Sequence, residues 1–160
     1  FVNLGTAILA SLVIGLFQGT IEEIVMLAVL MPIAASMGGN AGTQTLTVAV
    51  RAIAMKELTP TNAVRVLSKE ILVGTFNGLS FALIVGVVAW VWSGNAGIGI
   101  VMAVAMVITM VVAGLAGAAI PLGIARTRFD PAIASGVFLT TVTDVVAFLA
   151  FLGLGALFLL

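Results

Sequence analysis

The chain contains no cysteine and no histidine, and only 8% of its 160 residues are charged. Without cysteine there can be no disulfide framework and no thiolate nucleophile. Without histidine, imidazole acid–base chemistry and soft-metal coordination are also excluded. Any metal held here must be a hard cation bound through oxygen. The shortage of charge excludes a water-soluble body, because soluble domains carry charge on about a quarter of their residues. Six basic and six acidic side chains cannot wet a chain that is 62% hydrophobic.

What is present is apolar sequence in long continuous blocks with 18 glycines. Only helices and closed barrels satisfy the backbone within lipid. A barrel needs segments of about ten residues alternating apolar and polar side chains, and these blocks do not alternate. The sequence therefore specifies an all-α membrane protein. Five transmembrane segments are expected, near residues 1–17, 24–50, 71–92, 97–120 and 132–158, as one membrane domain. The opening Phe1-Val2-Asn3 has no basic region ahead of its apolar run and no Met. It is expected to be part of a longer chain rather than a signal peptide.

Charge placement is consistent with that count. Arg51, Lys56, Arg65 and Lys69 fall between the second and third segments, and Arg126 and Arg128 between the fourth and fifth. Five crossings put all six on one side, which sets the N-terminus in the cytoplasm and the C-terminus outside. Trp90 and Trp92 then lie at the outer interface. Glu22 and Glu23 fall on the outer side and read as a solvated turn. Glu57, Glu70 and Asp130 read as solvated cytoplasmic surface, with Asp130-Pro131 also capping the last helix. Residues 62–68 suggest a short amphipathic stretch at the interface. The basic residues orient the chain and touch anionic lipid. They are too few for nucleic-acid binding, and no phosphate loop is present.

Asp144 is the one acidic residue deep in an apolar segment. It lies about 12 residues, or ~18 Å, into the fifth segment. A carboxylate at that depth needs a partner, a cavity or a proton, so it is either an ion or proton site or a group that locks helices by hydrogen bonds. Thr140 and Thr141 share its face, and Gly136 extends that face towards the cytoplasm. The second segment carries Gly38-Gly39-Asn40-Ala41-Gly42-Thr43-Gln44-Thr45, downstream of Pro32. That run is either a tight helix crossing or an irregular stretch lining a wet cavity. Asn40 and Gln44, four apart, share a face. One carboxylate with neutral oxygens suits a hydrated hard cation, and a two-fold dimer would bring two such carboxylates together. The pairs Gly15/Gly19 and Gly74/Gly78 form a weak echo that reads as small-residue packing, not as a repeat. No Ser–His or paired-Asp arrangement supports an enzyme.

Three stretches together resemble the membrane domain of the MgtE family of magnesium channels: Met31-Pro32-Ile33 through Met37-Gly38-Gly39-Asn40-Ala41-Gly42-Thr43-Gln44, then Asp130-Pro131-Ala132, then Ser135 through Asp144. The likeness covers essentially the whole chain. It implies five spans, an inside N-terminus, and a homodimer in the cell's inner (plasma) membrane, with a pore between the copies lined by the second and fifth spans. Mg²⁺ is the implied bound and transported ion, near Asp144, with Asn40 and Thr140 along the pore. The family's cytoplasmic N-terminal and CBS regulatory domains are missing from this chain, which is therefore expected to conduct with weakened Mg²⁺ feedback. A proton- or sodium-coupled carrier and a purely structural membrane subunit are the alternative readings. Selectivity among Mg²⁺, Mn²⁺, Co²⁺ and Ca²⁺ depends on cavity size and retained water.

Overall fold

A computed structural model describes residues 1–160 and is helical throughout. The helices are α1 (Val2–Gly15), α2 (Gln18–Glu23), α3 (Val25–Ala54), α4 (Ala63–Ser93), α5 (Ala96–Ile124) and α6 (Pro131–Phe158). Four of them, α3 to α6, are long and apolar enough to cross a membrane. The chain is thus a multi-pass membrane protein. The expected first span is shorter than read: α1 has 14 residues, ~21 Å of helix against a hydrocarbon layer of ~30 Å. The residues after it, with Glu22 and Glu23 read as a solvated turn, fold as the six-residue α2.

α5 is the central helix. It carries the longest list of buried side chains, from Ile98 to Leu122, and packs against α3, α4 and α6. Small residues set these contacts. On α4, Gly74, Gly78, Ala82 and Gly86 recur every four residues and face α5. A β-carbon added at Gly74 would stand 2.8 Å from the Met110 carbonyl, and one at Gly78 2.9 Å from the Val107 α-carbon. This is small-xxx-small packing, in which backbones approach because nothing stands between them. Gly15 and Gly19 face open space, so only the second half of the sequence echo is a packing motif. The other faces of α4, with Leu72, Phe76, Leu83 and Val91, are exposed apolar surface suited to lipid.

One open alternative is decided and one expectation is corrected. The backbone from Gly38 to Thr45 is not irregular, because α3 runs unbroken through it and past Pro32. Two of its three glycines provide contact instead: Gly38 packs on Thr109 of α5 and Thr143 of α6, and Gly42 on Leu139. The stretch 62–68 is not a separate interfacial element. It is the first turns of α4, which begins eight residues earlier than the expected 71. The α3–α4 loop closes just before it, with the Asn62 amide donating to the Glu57 carbonyl (2.7 Å) and its Oδ1 accepting from the Thr59 N–H (2.9 Å). No breaker follows Asn62, so the helix starts there.

The remaining turns follow local chemistry. Gly94 takes the left-handed φ of 68° that ends α4, and the Asn95 side chain caps α5 by accepting from Gly97 N–H at 2.8 Å. Asp130 caps α6 as expected, accepting from Ala132 N–H at 2.8 Å, with Pro131 in the first turn. Both basic loops gather at one end of the bundle, where Ala49, Leu58, Ala63, Ala118 and Leu122 pack together. Leu159 touches Gly97 at the other end, beside Trp90 and the α4–α5 turn.

Candidate functional site

Asp144 sits halfway along α6. One face of that helix, Ser135, Leu139, Thr143 and Ala147, is buried against the bundle. Asp144 is half-buried beside it, and Thr140 is exposed. No side-chain hydrogen bond reaches Asp144. Its threonine neighbours donate to their own backbone instead: Thr140 to the Val137 carbonyl (3.1 Å), Thr141 to Val137 (2.7 Å), and Thr143 to Leu139 and Thr140. Each hydroxyl proton is thereby used, and each oxygen keeps lone pairs free. Asp144, Thr140 and Thr141 form an acceptor-rich surface, while Thr143 is buried against the bundle.

α3 presents a matching surface. Ser36, Asn40, Thr43, Gln44 and Thr47 are all exposed on one side of a helix otherwise apolar. Thr43 donates to the Gly39 carbonyl and Thr47 to the Thr43 carbonyl, both at 2.8 Å, so these hydroxyls also face outwards as acceptors. Depth follows from the packing register. Leu27 meets Gly155, Gly38 meets Thr143 and Gly42 meets Leu139, so α3 and α6 run antiparallel. Asn40 is therefore level with Thr140 and Thr141, and Asp144 lies about one turn away, ~5 Å along the axis.

The structure brings the three sequence-predicted residues to neighbouring depths but does not close a site within one chain. None of the three hydrogen-bonds another, and no three acidic side chains gather anywhere to hold an ion. Glu22 and Glu23 are exposed on α2, with Glu22 accepting from Gln18 at 2.8 Å.

One group was misread from sequence. Glu70 is not plain solvated surface: it is partly buried where α4 meets α3 and α5. Its carboxylate accepts from the Thr45 hydroxyl at 3.3 Å, and its carbonyl abuts Gly114. Glu70, Gln44, Thr45 and Asn77 line a cleft of about 210 Å³. The signal was in the spacing, since Glu70, Gly74 and Asn77 share a helix face once α4 is known to begin at Ala63.

The fold and site define an integral membrane helix bundle carrying one unpaired carboxylate at mid-helix among hydroxyl and amide oxygens. The family model for MgtE, described as a divalent cation transporter, matches residues 31–154. The chain belongs to that family. It is 36% identical over 159 residues to the magnesium transporter MgtE of Enterococcus faecalis, an alignment covering 99% of this chain and 34% of the relative. Over 147 residues it is 32% identical to the magnesium transporter MgtE of Bacillus subtilis, covering 92% and 33%. A third relative, the magnesium transporter MgtE of Thermus thermophilus, is 33% identical over 155 residues, with 96% and 34% covered. The chain thus spans about a third of the length of these curated relatives.

Proposed function

We propose that this chain is the membrane pore of a magnesium transporter, built from two copies with the ion path between them. The observation that carries this reading is the polar stripe on α3, Ser36 to Thr47, exposed on the protomer at the same depth as Thr140 and Asp144. Lipid cannot satisfy such a stripe; water or a second copy can. The relatives' name, magnesium transporter, supports the choice of ion. Mg²⁺ holds its six waters tightly, and those waters donate hydrogen bonds. A surface of spent hydroxyls with one carboxylate per chain receives such a shell without stripping it. Pairing Asp144 across a two-fold axis supplies two negative charges to one divalent ion.

Five crossings remain our reading. Val2 and Ala134 line one cavity, and a β-carbon added at Gly153 would stand 3.8 Å from the Phe17 ring, so α1 and the residue pair after it run along most of α6. That supports a crossing by a short first span, with the basic loops on the cytoplasmic side of the plasma membrane. Driven inwards by the potential, a divalent ion gains ~4.6 kcal/mol per 100 mV. The test is Mg²⁺ flux into proteoliposomes under an imposed potential, comparing the parent with Asp144→Asn. Loss of flux in a variant that still assembles is the expected result. Unchanged flux would remove Asp144 from the path and sink the proposal.

A further inference from the structure

The cleft between α3, α4 and α5 shares only Gln44 with the path just described. It lies towards the basic end of the bundle, one turn along α3 from Asn40. Its wall holds one carboxylate (Glu70), two amides (Gln44 and Asn77) and one hydroxyl (Thr45), and Gly74 and Gly114 bring the helices together along its side. The Thr45 hydroxyl spends its proton on Glu70, which leaves the second carboxylate oxygen without a side-chain partner. A second cavity of about 200 Å³ adjoins it, sharing Thr45, Val48 and Glu70, and is lined by Glu57 as well. Glu70 and Glu57 thus line adjoining cavities towards the basic end, the second of them walled mainly by Val48, Ala49, Ala52, Leu58, Val66 and Ala118.

We propose that this cleft is a second cation site, in which Glu70 holds a hydrated divalent cation; the ion class is taken from the reading above. Size favours a hydrated ion over a bare one. At ~30 Å³ per water, about 210 Å³ holds ~7 waters, room for an ion that keeps most of an octahedral first shell of water. The chemistry agrees. One carboxylate with neutral oxygens is how Mg²⁺ is bound when it keeps most of its water. Six basic residues cluster at this end of the molecule, and a retained negative charge offsets their repulsion of an arriving cation.

The test is equilibrium dialysis of Mn²⁺ alone against the full chain in neutral-lipid nanodiscs, counting ions bound per chain. The parent is compared with Glu70→Gln, Asp144→Asn and the double variant. Glutamine still accepts the Thr45 hydrogen bond, so a merely structural Glu70 would leave binding unchanged. Removing one charge at ~5 Å from a divalent ion weakens the site about tenfold even at the dielectric of water. Glu70→Gln is expected to lose one class of ion that Asp144→Asn retains, and the double variant to lose both. Parent-like binding by Glu70→Gln overturns the proposal. If that variant does not fold, Asn77→Leu decides: it fills the cleft without changing charge, so loss of the same ion class supports the site and parent-like binding overturns it. Unchanged binding in Asp144→Asn alone counts against the pore reading and leaves the Glu70 site standing.

Discussion

Replacing Gly117 by alanine should loosen the bundle, even though alanine is the better helix former. A β-carbon at Gly117 would stand 2.7 Å from the Gly42 carbonyl oxygen and 2.8 Å from the Thr45 β-carbon. Both obstacles belong to α3, and one is backbone, so no side-chain rotation clears the space. Reaching an ordinary 3.4 Å separation requires α3 and α5 to part by about 0.7 Å. A gap of that size forfeits a quarter to a half of the dispersion energy of each contact along the seam. Overpacking of this kind costs about 1–3 kcal/mol, against which alanine recovers about 1 kcal/mol of helix propensity. A net loss of ~1 kcal/mol follows. Gly123 is the control, since a β-carbon there meets nothing within 4 Å. Gly123→Ala should hold stability or raise it. The assay is unfolding by SDS in mixed micelles, followed by the fluorescence of Trp90 and Trp92 on α4. If Gly117→Ala resists SDS as well as Gly123→Ala does, the close α3–α5 approach is not what holds these helices.

The buried hydroxyl of Thr109 has no hydrogen-bond partner. Thr109→Val, which keeps the methyl group packed on Gly38, should be neutral or stabilise by up to ~1 kcal/mol in the same SDS titration. Asp130→Ala removes the cap from Ala132 N–H and should cost about 1 kcal/mol, read as a lower unfolding midpoint. Asn40→Leu replaces an exposed amide on the α3 stripe with an apolar group. It should leave assembly on size-exclusion intact while lowering Mg²⁺ flux in proteoliposomes; unchanged flux would take Asn40 off the path.

Composition alone determined much of the fold. Long apolar blocks without alternation leave no option but membrane helices, and Asp130-Pro131 forms the cap its spelling suggests. Helix ends were less legible. The charges from Arg65 to Glu70 look like a loop because they are polar, yet nothing among them breaks a helix, and α4 starts at Ala63. The same ambiguity affected the glycines of α3. Glycine permits both an unwound backbone and a close crossing, and only the positions of Thr109, Thr143 and Leu139 decide for the crossing. Those partners are some 70 to 100 residues distant in sequence, beyond what local pattern can reveal.

The two carboxylates differ in legibility for a related reason. Asp144 is conspicuous because all its sequence neighbours are apolar or hydroxylated, so its burial in a span follows from the string of letters. Glu70 is inconspicuous because Lys69 and Arg65 stand beside it, and a charge among charges resembles a wetted surface. Helical geometry separates them: Lys69 and Arg65 are exposed, while Glu70, on the Gly74 face, turns in towards α3 and α5. A charged residue at a helix end is thus classified by the face it shares with small residues, since the small residues mark where the neighbouring helix comes closest. By that criterion Asp144 is the complementary case. It lies beside the packed face of α6 rather than on it, its own chain offers it no partner, and the polar face of α3 looks outwards at nearly the same depth. Both surfaces are incomplete in one copy, and the two-copy pore proposed above would complete both at once.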